Sequence, residues 1–232
     1  METKYVIIPD FSGKDNLGIK KKERFLMPNK REKSPFELAI ETNKSLYDSL
    51  MVIGQVSNFK FSRNVLMQLG IYQYEEIIEA CAKNSAADFA FAAFASNPDD
   101  ILLVSNSLAQ IKPNDYYYNT LVHAKNMAAK GDIVLIDFYQ GELVTNEVEK
   151  IDLKHRIYCF QAASLLDELM KYEPDTYYSV KRAHFKKSGS FINEILNDLI
   201  PNQSIESAVL DKSEKVKIIS ASVTDLEFSE SN

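Results

Sequence analysis

The chain has 232 residues, 45% of them hydrophobic and 26% charged, with a formal net charge of −6. This length suits one domain, and the composition is that of an ordinary globular protein. A net negative chain offers no global attraction to nucleic acid or to an anionic membrane surface.

In chain order, Tyr5–Ile8 reads as a first strand. Ser34-Pro35-Phe36-Glu37 opens a helix with a Ser N-cap, Pro at N1 and Glu at N3. Ser49–Ile53 is a second strand and Asn58–Leu69 a helix. Tyr74–Ile78 is a third strand, and Asn84-Ser85 caps Ala86–Ala95, a helix rich enough in Ala and Phe to be mostly buried. Ile101–Val104 is a fourth strand, entered through Pro98-Asp99-Asp100. The helix Tyr116–Lys130 stops at Gly131, and Ile133–Phe138 is another apolar strand. This alternation predicts a mostly parallel sheet with helices on both faces.

The last third is less regular. Glu142–Val148 and Ile157–Phe160 read as strands, and Ala162–Met170 as a helix ended before Pro174. Phe191–Leu199 and Ser204–Asp211 read as short helices and Val216–Ser220 as a late strand. Residues 1–221 are expected to form a single domain, with 222–232 a polar, fraying tail. No apolar run approaches the ~20 residues of a membrane span. Met1-Glu2-Thr3-Lys4 lacks the pattern of a signal peptide. With Cys81 and Cys159 as the only cysteines, no disulfide framework is indicated. The expected location is cytoplasmic.

Chemistry-bearing patterns are sparse. There are seven glycines, where an average of about 7% predicts roughly 16, and phosphate cradles need glycine for close backbone approach. Gly13 and Gly18 have P-loop spacing, but Ile19 stands where the Lys is needed and no Ser or Thr follows Lys20. The basic runs Lys20–Arg24 and Lys30–Lys33 read as solvated loop, or alternatively as an anion site for a nucleoside triphosphate or a partner's acidic surface. His123, His155 and His184 show no metal-ligand spacing. Cys81 and Cys159 read as small core residues and Tyr116-Tyr117-Tyr118 as packing. Ligands of α/β sheets sit beyond the carboxyl ends of the strands. After Ile101–Val104 that place holds Leu108 and Ala109, with no Asp, Glu or His before Asp115. Asp225 follows the late strand at a place where a metal could be held, although a surface Asp is the plainer reading.

Several segments, taken in order, carry a family resemblance. Ser34-Pro35-Phe36-Glu37 with Asn43 is similar to "SLFE…RN". Glu79 with Lys83-Asn84-Ser85-Ala86-Ala87 is similar to the nucleotide-facing turn "E…P-R-N-T-A". Ser204-Ile205-Glu206 through Lys212-Ser213 is similar to "S-I-D-Y-A-V-M-E-K-S", and Thr224-Asp225-Leu226 falls where "W-S-D-L-G" lies. The chain thus resembles the bacterial mannose-1-phosphate guanylyltransferases, nucleotide-sugar pyrophosphorylases. The resemblance implies a Rossmann-like, GT-A nucleotidyltransferase α/β fold. It also implies a reaction in which a sugar 1-phosphate attacks the α-phosphate of GTP while Mg²⁺ sits between two carboxylates.

The departures fall on the charge-handling positions. Pro9-Asp10-Phe11-Ser12-Gly13-Lys14 replaces the Gly-rich "G-G-x-G-T/S-R-L-W-P", and Glu23 falls at the "P-K-Q-F" lysine. Leu108 and Ala109 replace the Asp and His of "P-S-D-H", and Lys154-His155-Arg156 replaces the sugar-site "N-S-G". The segment between Phe138 and Leu153 lacks the insertion that carries "G-Y-G-Y-I". What the resemblance leaves for a nucleotide is Ser12, Gly13, Lys14, Glu79, Lys83, Asn84 and Ser85, with Asp225 for the metal. If metal and phosphate donors each supply ~3 kcal/mol of transition-state stabilisation, losing two costs roughly 10⁴-fold. The expectation is a catalytically silent nucleotidyltransferase-like domain in sugar-nucleotide or polysaccharide synthesis. It would bind GTP, a sugar nucleotide, an active guanylyltransferase or its own copy, with neither nucleic acid nor membrane as partner. The alternatives are a working Mg²⁺-dependent enzyme with a rebuilt site, and a ligand-free interaction module.

Overall fold

The computed structural model describes residues 1–9, 33–106, 113–139 and 156–222. Among these residues seven strands form one sheet: β1 (Thr3–Ile8), β2 (Ser49–Gln55), β3 (Glu75–Glu79), β4 (Ile101–Asn106), β5 (Ile133–Tyr139), β6 (Arg156–Gln161) and β7 (Val216–Ser222). Their order across the sheet is β3-β2-β1-β4-β6-β5-β7. All pair in parallel except β6, which runs antiparallel to both β4 and β5. The expected Rossmann-like sheet is therefore present, with β1 at the point where the strand order reverses.

Helices α1 (Pro35–Asn43), α2 (Phe59–Gln68) and α4 (Asp115–Ala128) cover one face. The other carries α3 (Ser85–Phe94), α5 (Ala162–Tyr172), α6 (Pro174–Phe185) and a π-helical turn at Glu206–Leu210, with the short α7 (Glu194–Asp198) beside α6. Side chains of consecutive strand residues point to opposite faces. Tyr5 and Ile7 accordingly enter the first core and Val6 the second. The helix boundaries follow local chemistry. Ser34 and Glu37 make the reciprocal capping box expected at α1. Gly131, at φ 98°, follows the end of α4 in a conformation open to glycine.

Helix α3 is the most deeply buried. Its alanines present little side-chain bulk, so the helix lies close against the sheet between α5 and α6. Phe91, fully buried, fills the space left.

The helix from Ala162 ends before Pro174 as expected, and Pro174 is the first residue of α6, which the sequence reading lacks and where its missing N–H costs nothing. Three sequence expectations require correction. Phe191 is not helical, because Ile78 N donates to Ser190 O and Ile192 N to Ile78 O, both at 2.8 Å, which holds 190–192 extended along the edge of β3. The expected helix at Ser204–Asp211 is the π-helical turn Glu206–Leu210. Cys81 is exposed rather than a core residue, whereas Cys159 is buried as expected. The expected strand Glu142–Val148 and the tail beyond 222 lie outside the described residues.

Candidate functional site at the carboxyl ends of the strands

The strand register sets a row of side chains across one end of the sheet. Gln55 pairs with Glu79, Ile8 lies beside Asn106, and Ser105 pairs with Ile157. Arg156 then pairs with Asp137, and Asp137 with Ser220. Ligands of open α/β sheets bind outside such an end, at the point of strand-order reversal. The two strands that meet there are β1 and β4. The buried Oδ1 of Asn106, the last residue of β4, has no hydrogen-bond partner.

One wall is the turn between β3 and α3. Glu79 closes β3 with its carboxyl buried, and its carbonyl accepts from Val56 N at 3.0 Å. Asn197 Oδ1 accepts from Ala80 N at 2.7 Å and from Cys81 N at 3.3 Å. Asn84 caps α3, its side chain accepting from Ser85 N at 2.9 Å. Ser85 Oγ accepts from Ile205 N at 2.9 Å, and Ala86 N donates to Gln203 O at 3.2 Å. The turn is thus tied to α7 on one side and to the segment before the π-helical turn on the other. Lys83 is half-buried and Asn84 exposed.

Glu79 does not point its carboxyl into open solvent. It is buried, as is Asp88 in the first turn of α3. Burial pushes Glu79 up to about 7, against the opposing effects of neighbouring Asp88 and the Lys83 charge. Asp88 is raised well above the usual carboxylate range by burial and by the neighbouring Glu79.

The other wall is a charged cluster. Arg156 Nε donates to Asp137 Oδ1 at 2.8 Å and Nη1 to Glu206 Oε1 at 3.4 Å, and Tyr158 Oη donates to the same Glu206 oxygen at 2.8 Å. Burial lowers the basicity of Arg156, but the bond and charge of Asp137 outweigh it and the guanidinium stays charged. The Tyr158 hydroxyl is raised by burial and by the Glu206 carboxylate. The edge of the Tyr158 ring meets the Phe89 ring, with centroids 4.8 Å apart, so α3 contributes to this wall as well.

Of the residues expected from the sequence, the structure brings Glu79, Lys83, Asn84 and Ser85 onto one turn. Ser12, Gly13, Lys14, Glu23, Leu108, Ala109, Lys154, His155 and Asp225 lie outside the described residues. Sequence reasoning missed Asp88 and the Asp137–Arg156–Tyr158–Glu206 cluster as a unit. The available signals were a single carboxylate in the apolar run of α3 and a charged residue at the end of each of two strands.

Among the described residues no group of three or more His, Cys, Asp or Glu could hold a metal ion. The described carboxylates at this end do not fit a hydrated Mg²⁺. Asp137 and Glu206 are bridged by one guanidinium, and Glu79 and Asp88 are both buried, with burial disfavouring their charged forms. No step through a metal follows from them.

Among the described residues, the sheet order, the one antiparallel strand and helices on both faces define a Rossmann-like α/β fold. The chain is similar to a mannose-6-phosphate isomerase from Helicobacter pylori, at 22% identity and a TM-score of 0.73 over 95% of this chain and 97% of that one. It is similar to a mannose-1-phosphate geranyltransferase from Thermus thermophilus, at 15% identity and a TM-score of 0.64 over 96% of this chain and 75% of that one. A protein from Bacillus anthracis assigned as a glucose-1-phosphate thymidylyltransferase matches at 12% identity and a TM-score of 0.54, over 94% of this chain and 86% of that one. At these identities the likeness is one of fold. No protein-family model and no curated sequence matches the chain. No helix among the described residues is long and apolar enough to cross a membrane.

Proposed function

We propose that this chain is a nucleotidyltransferase-like domain that binds a guanine nucleotide or nucleotide sugar and does not turn it over. Its role would be regulatory, exerted on a partner enzyme of sugar-nucleotide or polysaccharide synthesis. The observation that carries this reading is the contrast between the two groups of side chains at this end of the sheet. The Glu79–Ser85 turn, similar in sequence to the family's nucleotide-facing turn, is tied down at both ends by Asn197 and Ser85. The opposite wall spends its one guanidinium on two carboxylates of its own.

Phosphoryl and nucleotidyl transfer depend on positioning and on cations aimed at the phosphates. A cation already neutralised by Asp137 and Glu206 supplies little of that. In the sequence, Leu108 and Ala109 stand where the family carries an Asp and a His, which removes a charged donor from the same end. A lone carboxylate such as Asp225 would hold hydrated Mg²⁺ weakly. Isothermal titration with GTP and GDP-mannose, with and without Mg²⁺, tests binding, and a pyrophosphate-release assay tests turnover. The expected result is saturable binding without release. Absence of binding by either nucleotide would favour a ligand-free interaction module, and turnover would favour a rebuilt enzyme.

A further inference from the structure

We propose that Asn197 is the positioning residue of the Glu79–Ser85 turn, holding its backbone from α7 so that Lys83 and Asn84 are presented at the strand end. The turn's part in nucleotide binding rests on the function proposed above. The hold on its backbone stands on hydrogen-bond geometry.

One continuous stretch, 190–205, runs beside 78–86 and bonds to it in nearly the same order. Ile78 N donates to Ser190 O and Ile192 N to Ile78 O, both at 2.8 Å. Asn197 Oδ1 takes the N–H groups of Ala80 and Cys81, at 2.7 and 3.3 Å, and Asp198 Oδ1 accepts from Cys81 Sγ at 3.6 Å. Ala86 N then donates to Gln203 O at 3.2 Å, and Ile205 N to Ser85 Oγ at 2.9 Å. The outer bonds of this series hold the end of β3 and the start of α3. In the middle of the turn the hold passes to side chains. Asp198 is exposed and meets a thiol, which is a weak donor. Asn197 is the stronger of the two.

The residue is itself firmly placed. It is fully buried, its N–H donates to Asn193 O at 2.8 Å, and its carbonyl accepts from Ile200 N at 3.1 Å. Its Nδ2 is buried with no hydrogen-bond partner. An unpaired buried donor costs stability, so the part of the carboxamide that this place uses is the acceptor oxygen. Both N–H groups it takes are directed at α7, which makes them unavailable to a ligand. What they fix is the course of the chain into Lys83, half-buried, and Asn84, exposed. Asn197 thus acts through the turn.

The test compares the full chain with Asn197→Ala, Asn197→Asp and Tyr117→Phe, by backbone amide exchange and by isothermal titration with GTP. Alanine removes the acceptor. Aspartate keeps an oxygen for both N–H groups, the donors that stabilise a buried carboxylate. Tyr117→Phe removes a buried bond within the opposite core and reports destabilisation alone. In the wild type the amides of Ala80 and Cys81 should be protected. In Asn197→Ala their exchange should rise about 10-fold relative to Leu103 and Val104 of β4, and GTP should bind about 10-fold more weakly, the scale of one buried hydrogen bond. Asn197→Asp should restore both, and Tyr117→Phe should leave GTP affinity unchanged. Unprotected Ala80 and Cys81 in the wild type, or equal acceleration at β4, would overturn the assignment. So would faster exchange without weaker GTP binding, an equal loss of affinity in Tyr117→Phe, or an aspartate variant no better than alanine. If Asn197→Ala fails to fold, wild-type exchange and the aspartate variant decide. Faster exchange in Asn197→Ala, with no GTP binding by the wild type, would sustain the hold on the turn and overturn the proposed function instead.

Discussion

Arg156 Nε reaches Asp137 Oδ1 at 2.8 Å across the β5–β6 pair, at the strand end where an α/β sheet would present a cation to its ligand. The guanidinium also faces Glu206, so a single positive charge serves two carboxylates. If this pairing is what withholds Arg156 from phosphates, releasing it changes affinity. Asp137→Asn combined with Glu206→Gln should tighten GTP binding several-fold, read by isothermal titration. Arg156→Ala should leave affinity nearly unchanged and cost about 1 kcal/mol of stability, the scale of a partly exposed pair. Weaker GTP binding in the double variant would count against this account of the wall.

A buried polar bridge joins the two helices that flank β1 and β4. Tyr117 Oη donates to Asn43 Oδ1 at 2.7 Å, and Asn43 Nδ2 donates to Ala39 O at 2.9 Å. Tyr5 and Ser105 share a hydroxyl bond of 2.6 Å nearby, and burial pushes the Tyr5 hydroxyl up to about 12. Removing one partner leaves the other buried and unpaired, which costs about 1–3 kcal/mol. Tyr117→Phe and Asn43→Ala should each lower the urea midpoint by that amount. Their combination should cost less than the sum, because the second change removes a group already orphaned.

His184 and Glu79 should tilt the pH dependence of stability in opposite directions. Burial, and then the charge of Lys187, hold His184 down to about 4. The unfolded chain takes up that proton near the ordinary value of about 6.5. The stability contributed by neutral His184 is therefore present above about 6.5 and lost as pH falls toward about 4. Glu79, raised to about 7 from 4.5, behaves oppositely: its stabilisation is complete below about 4.5 and lost as pH rises through about 7. Relative to the wild type, the urea midpoint of His184→Gln should decline with rising pH across this range, whereas that of Glu79→Gln should rise. Each tilt should amount to about 2 kcal/mol. Parallel profiles in the two variants would contradict the assignment.

The two thiols should be distinguishable by reagent. Cys81 is exposed and Cys159 buried, with burial pushing the Cys159 thiol up to about 12. A disulfide-exchange reagent should consume one thiol per native chain. That thiol should react slowly, because burial and the bond to Asp198 raise Cys81 above its ordinary value. Denaturant should release the second thiol.

The sheet was legible in the sequence because its strands are short apolar runs separated by capped helices. Ser34-Pro35-Phe36-Glu37 and Asn84-Ser85 both cap as their residue types predict. Helix α6 was not legible. Its exposed face carries Tyr178, Lys181 and Phe185, which give no clean apolar stripe, and Pro174 can either follow one helix or begin the next. Segment 190–192 was hidden for a different reason: its extended form is imposed by hydrogen bonds from Ile78, distant in sequence. At the site, the Glu79–Ser85 turn could be read from its residues. The burial of Asp88 could not, because it depends on how α3 packs against the sheet and against α5 and α6. Arg156, Asp137 and Glu206 lie far apart in the chain and meet only through the antiparallel β6 and the π-helical turn.

The most direct test of the central claim is a single preparation of the full chain given GTP, mannose 1-phosphate and Mg²⁺, with bound nucleotide and released pyrophosphate measured together. The expected result is saturable nucleotide binding with pyrophosphate release no faster than in the absence of protein. Saturable, Mg²⁺-dependent release that Asp225→Asn abolishes would contradict it.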